Sequence, residues 1–448
     1  MEAHKWLRAA FLSSFCLATA SAADDCSGST TVGSQADATF LAKACKTYSG
    51  SIAVATGIEG VLSLDGLEHI DSLSFENTTQ LISIGAPSLK SAGSVYGSDA
   101  TILSSMDFPK LSAVDGFTLT GMPDLSTFTF TAGVKPTSLL IGETFLSALS
   151  GLEPDGEMDE VNVCFNQYLQ DITLGATSVD IITIIENGDK VRISFPDLKQ
   201  AGDIEIGNAS NIKFPSLESV TDGGLVIYGG GLKSLDLPSL KEAEDGLYLR
   251  DLALLSDLSL PELSHIHSGP LEIKRVGLTN LSLDALESVF SSIWLEGEFD
   301  NISLPKLTQV GGSFFVKGSK NFDCSAFSAQ FASSVNFRQS LSCVAGDEET
   351  DSQSATTSRH TSSKTESATS APTAASTSAS ELAASVSAET AASTASAETA
   401  VSAASASTAA TSAAVADDSS AASTFGVGMA MTGSIFGTVS LFLILNVF

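Results

Sequence analysis

Positive charge is scarce in this chain. Its 22 Lys and Arg face 52 Asp and Glu over 448 residues, a formal net charge of −30. No basic cluster offers a local exception, so a phosphate backbone is repelled and nucleic acid is excluded as a partner. Metal-site spacing is missing too: there is no CxxC pair and no Cys/His cluster. His265 and His267 lie two apart and would share a strand face, but no third ligand stands near them. No cofactor motif is present. "YGGGL" (Tyr228–Leu232) reads as a tight corner rather than a phosphate cradle, since no strand-to-helix unit surrounds it. From Asp347 to Thr424 large apolar residues all but vanish, and after Lys364 there is no basic residue at all.

Those last two absences shape the C-terminal end. Residues 346–424 are nearly all Ser, Ala and Thr, cannot bury a core, and read as a disordered, O-glycosylated stalk. Its Ala content favours helix, but the Ser/Thr load opposes that. Crowded glycans would hold it extended, up to about 3.5 Å per residue. The apolar tail 425–448 follows a row of small residues, "DDSSAAST" (Asp417–Thr424), and a weakly polar Gly-rich spacer. A spanning helix is normally followed by cytoplasmic Lys or Arg, and none occurs here. The order instead matches a glycosylphosphatidylinositol (GPI) signal, with Ser419 or Ser420 as the attachment residue and the tail removed. At the other end, His4, Lys5 and Arg8 precede a short apolar run and Ala20-Ser21-Ala22. The run is too short to span, so residues 1–22 are expected to be a cleaved secretory signal.

Cysteine usage agrees with export. With Cys16 lost in the signal, Cys26, Cys45, Cys164, Cys324 and Cys343 remain. Cys26 with Cys45, and Cys324 with Cys343, make two local pairs at the ends of the ectodomain 23–345; each bridge would stabilise by about 3 kcal/mol. Cys164, in "VNVCFNQYL", is expected to be a buried free thiol on an apolar-alternating strand. Four sequons, at Asn77, Asn208, Asn280 and Asn301, are candidate N-glycosylation sites.

The ectodomain repeats. Prolines recur at Pro196, Pro215, Pro238, Pro261 and Pro305, with Asp284 in the vacant slot, at spacings of 19, 23, 23, 23 and 21. Each sits alike: "KFPSLESV", "DLPSLKEA", "SLPELSHI", "SLDALESV", "SLPKLTQV", and earlier "GAPSLKSA" and "DFPKLSAV". Two short strands per unit follow from alternation. Ile204/Ile206, Leu225/Ile227, Leu247/Leu249, Leu271/Ile273, Ile293/Leu295 and Phe314/Val316 would form one inward ladder. Ile212/Phe214, Leu235/Leu237, Leu258/Leu260, Leu281/Leu283 and Ile302/Leu304 would form the other. A lone unit cannot bury those faces, but stacked units bury them all. The predicted fold is therefore all-β, a β-solenoid of stacked leucine-rich repeats of about 20–24 residues. Each proline falls at a corner just after a strand, where no ladder N–H is needed. No unit has room for a useful helix, which sets helical leucine-rich repeats aside. The disulfide loops sit where the open ends need caps.

"LLIGETFLSALSGL", "VNVCFNQYLQDITL", "LEGEFDNISLPKLTQVGGSFFV", the terminal "NFDCSAF" with Cys343, and "ADATFLAKACKTYSGSI" resemble the fungal GPI-anchored cell-wall organisation proteins, over roughly Cys26 to Cys343. The resemblance implies receptor L-domain-like leucine-rich repeats, a role in organising the fungal wall, and no assigned catalytic residue. One departure is visible: the family's ladder of Asn at strand ends is partial, with Asn166 and Asn187 present but Gly207 and Gly229 elsewhere.

β-Helices also include carbohydrate-active enzymes, which need convergent carboxylates on an outward ladder. The outward slots of the first strand hold Glu205, Tyr248, Glu272, Trp294 and Phe315, too mixed for such a pair, and "EPDGEMDE" (Glu153–Glu160) reads as a solvated loop. No catalytic residue is assigned. Tyr248, Trp294 and Phe315 point outward beside Arg250, Lys274, Glu296 and Lys317. They could stack on sugar rings, although cross-strand packing alone would also place them there. The expected protein is a non-enzymatic, GPI-anchored surface glycoprotein that binds wall polysaccharide or wall proteins. The alternatives are a β-helical enzyme on wall polysaccharide and a receptor-like module for a protein ligand.

Overall fold

Alternation drives the architecture turn by turn. In Leu225–Tyr228, Leu225 and Ile227 are buried while Val226 and Tyr228 face outward. The next turn repeats this at Leu247–Arg250, in parallel register: Leu225 opposite Leu247, Ile227 opposite Leu249. The ladder continues through Leu271, Ile293 and Phe314, as the periodicity predicts. The computed structural model describes residues 26–346, except 189 and 332–334. Over that span it is a parallel β-solenoid of about 13 turns. The signal 1–22, the stalk to 424, Ser419, Ser420 and the tail 425–448 lie outside the described residues.

The principal wall is a single parallel sheet of 21 strands. In the N-terminal half its strands are long, as in His69–Glu76, Ser91–Ser98 and Ala113–Met122. In the C-terminal half Gly- and Ser-rich links divide each into two, as in Ser219–Val220 and Leu225–Tyr228. The second wall is broken into four smaller sheets. One break separates Asn211–Lys213 from Ser234–Asp236, where "YGGGL" lengthens the corner. Gly230 there has φ +75°, and a Cβ on it would lie 2.5 Å from the Asn208 carbonyl carbon. No side chain fits that approach. Leu235 and Leu258 pair across rungs, but Leu258 is only half-buried.

Between the walls runs one continuous core, with Phe75, Phe108, Phe117, Phe195, Phe214, Phe299 and Phe314 fully buried. Phe195 and Phe214 meet edge to face at 5.4 Å. Burying each such ring contributes about 1.5–3 kcal/mol.

The two ends depart from the repeat and from the all-β expectation. Cys26 is bonded to Cys45, and the loop contains helix Gln35–Ala44, which buries Ala38 and Ala42. Ser34 caps it by accepting from the Asp37 N–H. At the far end helix Cys324–Phe331 lays Phe327 and Phe331 on Phe314, and Cys324 is bonded to Cys343. A cap has a neighbour on one side only, so it needs an element that buries one stripe and exposes the rest. A short amphipathic helix does this and a two-faced strand does not.

Cys164 is free, but it is half-buried rather than part of the core. Val161 and Val163 take the inward slots of strand Glu157–Cys164, so the thiol falls on the outer face. There its Sγ lies 3.0 Å from the Asn162 Oδ1.

Candidate functional site

Most principal strands end at a corner of one backbone conformation. Asn77, Asp99, Gly121, Glu143, Phe165, Glu186, Asn208, Gly229, Asp251 and Arg275 all have φ between +52° and +68°. Strand register places them in one column, one per rung. Asn, Asp and Gly tolerate this left-handed region; a bulky side chain costs about 1–2 kcal/mol there. Glu143, Phe165, Glu186 and Arg275 all carry that cost; Phe165 is the ring among them, and it is 55% exposed, so burial does not compensate.

The residue after most corners turns inward, and over three consecutive rungs that inward slot is polar; Thr78, after Asn77, is a fourth polar residue in the same slot, apart from these. Thr144, Asn166 and Asn187 are all buried. The Asn166 Oδ1 accepts from the Thr144 N–H at 3.1 Å and its hydroxyl at 2.7 Å. The Asn166 Nδ2 donates to the carbonyls of Ile141 and Cys164, each at 3.0 Å. The Asn187 Oδ1 accepts from the Asn166 N–H at 3.1 Å, and its Nδ2 donates to the Val163 carbonyl at 2.7 Å. The ladder continues into Ala209 and Gly230, not Gly207 and Gly229. Gly207 closes its strand and Gly229 is the corner residue, and the hydrogen-bonded ladder joins Thr144, Asn166 and Asn187.

Above the ladder lies an open cleft of about 490 Å³, with Pro123, Glu143 and Phe145 on one side and Phe165, Gln167 and Tyr168 on the other. Phe145 and Tyr168 are 44% and 51% exposed, their centroids 3.9 Å apart and their planes inclined at 33°. Phe165 and Gln167 also border a second pocket of about 370 Å³ with Glu186, Asn187 and Gly188. No Lys, Arg or His lines either space. The hydrogen-bonded backbone below fixes both banks. Sequence reasoning missed these aromatics, although aligning the corner slots shows Phe165, between Glu143 and Glu186, as the one ring in a column where six of the other nine positions are Asn, Asp or Gly.

The aromatic column expected from the sequence faces outward beside the charged residues read with it. Glu205, Val226, Tyr248, Glu272, Trp294 and Phe315 succeed one another on adjacent rungs. Trp294 packs on Phe315 at 4.5 Å, while Glu272 separates it from Tyr248. The Lys274 Nζ lies 4.2 Å over the Trp294 ring, and the Arg250 guanidinium lies 4.8 Å from the Tyr248 centroid. Glu272 binds both cations, at 2.5 Å to Arg250 and 3.1 Å to Lys274. These rings already have cationic or aromatic partners.

Among the sequons, Asn77 and Asn208 stand in the corner column, and the Asn208 Nδ2 donates to Glu186 at 3.2 Å. Asn280 and Asn301 are exposed and directly opposite each other on neighbouring strands. His265 and His267 stack at 5.9 Å, with Glu242 3.3 Å from His267. Among the described residues no three His, Cys, Asp or Glu are grouped to hold a metal. A third cavity, of about 460 Å³ near the C-terminal cap, is lined by residues including Arg275 and Lys317. Asp251 pairs with Arg275 at 2.5 Å, and Glu296 lies 3.8 Å from Lys317.

A disulfide-capped, leucine-lined parallel solenoid with sequons at two corners and on two strands defines a class of extracellular repeat protein. Known proteins give that class a narrower address. The chain is 27% identical over 359 residues to Protein ecm33 of Aspergillus fumigatus, covering 73% of this chain and 83% of that one. It is 26% identical over 331 residues to a Cell surface GPI-anchored protein of Arthroderma benhamiae, covering 73% and 84% respectively. Cell surface GPI-anchored protein ECM33 of Candida albicans is 28% identical over 320 residues, covering 69% and 77%. The resemblance to the fungal GPI-anchored cell-wall organisation proteins thus extends over most of the chain, and with it their place at the cell surface and wall. No family model matches the chain, and no solved structure matches it significantly.

Proposed function

We infer that the chain is a non-catalytic scaffold of the fungal wall, held at the membrane by a GPI lipid at Ser419 or Ser420. Its solenoid stands off on the 346–424 stalk and binds wall polysaccharide or wall protein. The observation that carries this reading is the outward surface itself, a rigid repeating face that bears aromatic rings but no carboxylates convergent along its outward column. Glu205 and Glu272, the acids of that column, stand three rungs apart. At about 4.8 Å per rung that is about 14 Å. Glycoside hydrolysis uses separations of about 5 to 9.5 Å. Glu272 is further committed to Arg250 and Lys274.

The test is to incubate the purified full chain with insoluble β-glucan, chitin and mannan, measuring protein retained and sugar released. Retention without release is the expected result. Sugar release would replace this reading with a β-helical enzyme. If neither occurs, a wall protein becomes the ligand, sought by cross-linking at the cell surface.

A further inference from the structure

We propose that the corner cleft framed by Phe145, Phe165 and Tyr168 is a binding site for a neutral β-linked glucan-type chain. This deepens the scaffold reading and rests on its polysaccharide branch.

The first argument is conformational. Phe165 occupies a left-handed slot, φ +60°, that costs a bulky residue stability, and it stays 55% exposed. Strain of this kind clusters where a side chain is held out for a ligand. Nothing in the packing of the solenoid calls for a ring at that position, since Asn208 and Asp251 serve the same corner elsewhere.

The second argument is rigidity. Phe165 and Phe145 each adjoin a residue of the polar ladder. The ladder polar groups bind one another and the backbone directly below both banks. On neighbouring rungs the equivalent slot is apolar, Met122 on one side and Ala209 on the other. The buried polar ladder therefore coincides with the aromatic cleft. Such a network, fully satisfied, fixes the geometry of what it supports.

The third argument is chemical. The cleft offers aromatic faces along one trough, while Gln167, Glu143 and Glu186 offer amide and carboxylate groups at its edges. With no cation in the lining, an anionic ligand finds no partner. A neutral polyol fits instead: hydroxyls donate to the carboxylates and the C–H faces stack on the rings. In the β-gluco configuration every ring substituent is equatorial, so both faces present only C–H groups. An axial hydroxyl, as in mannose, spoils one face. The rungs are about 4.8 Å apart, close to the length of one pyranose residue, so successive sugars can follow successive corners.

The test titrates the full-length protein with a β-1,3-linked glucose hexamer, a chitin hexamer and a mannose oligomer, by calorimetry. Wild type should bind a β-gluco-configured chain at least tenfold more tightly than the mannose oligomer. Phe165→Asn should weaken that binding at least tenfold while raising Tm, because the left-handed strain is relieved; this separates loss of a ligand contact from loss of fold. Tyr168→Ala should weaken it similarly, and Leu254→Ser, an exposed apolar residue on a distant rung, should leave it unchanged. Binding that survives Phe165→Asn and Tyr168→Ala but falls with Trp294→Ala would overturn the cleft while leaving a polysaccharide-binding scaffold standing. Failure of wild type to bind any of the sugars would overturn the cleft and the polysaccharide branch together.

Discussion

At the scale of the residue, Asn166 has the most to lose. Its amide serves Thr144, Ile141, Cys164 and Asn187 from a fully buried position. Replacing it with Ala removes the acceptor of both the Thr144 N–H and the Thr144 hydroxyl, and one donor each from the Ile141 and Cys164 carbonyls. Each unsatisfied buried group costs about 1–3 kcal/mol. Chemical denaturation of Asn166→Ala should therefore show a loss of at least about 3 kcal/mol. An unchanged midpoint would mean that water replaces the amide. Cys164 makes the opposite prediction, of inertness. Burial pushes its thiol up to about 11, the Glu205 and Glu160 carboxylates acting in the same direction. The reactive thiolate is thus scarce at neutral pH. Mass spectrometry should find it unalkylated at pH 8 in the native protein and alkylated once unfolded.

At the scale of the element, the inward face was legible and the corners were not. Leu225, Leu247, Leu271, Ile293 and Phe314 could be aligned because burial forces an apolar residue at a fixed phase, and the structure pairs them as read. The corner slot tolerates Asn, Asp, Gly, Glu, Phe or Arg, so it carries no repeated letter and the proline register did not reveal it. The Asn ladder slipped for the same reason: its slot follows the corner residue, and the next rung fills it with Ala209. Cap helices carry no period at all. One cross-rung contact yields a pH prediction. Glu68 is held on both sides, by Lys90 and by Lys46 at 3.0 Å, and their hydrogen bonds lower its pKa from 4.5 to about 2. A depressed carboxylate stabilises fully above its unfolded value, and that contribution disappears as pH falls through the folded one. The Tm advantage of wild type over Glu68→Gln should thus be present at pH 5 and fade between 4.5 and about 2. Both lysines are solvent-exposed, so added salt should shrink it too. An advantage that is flat across the window would show that Glu68 contributes by packing alone.

At the scale of the whole molecule, stability is close to a sum of turns and their interfaces, so the ends decide where unfolding starts. Replacing Cys324 and Cys343 together with Ser should cost about 3 kcal/mol. Hydrogen exchange should then show protection lost first across Asn301–Ala345, with strands near Phe75 unchanged. Uniform loss would mean that the solenoid unfolds as one unit. The solenoid itself was legible because a unit of some twenty residues cannot hide its apolar faces alone. The outer surface was only partly legible. Strand alternation found the outward rings Tyr248, Trp294 and Phe315, whereas Phe145, Phe165 and Tyr168 stand at or beside the corners, where alternation stops.

The Cys324–Cys343 bridge has a mechanical consequence. The chain leaves the solenoid just past Cys343, so tension arriving from the segment beyond Gly346 meets a covalent bolt within three residues. The pull crosses the sulfur–sulfur bond to Cys324 and bypasses the helix, which stays slack. From there it reaches the strand Phe314–Gly318 that the last turn is laid upon. A pull applied beyond Gly346 is thereby delivered to the body of the stack rather than to its most easily peeled strand.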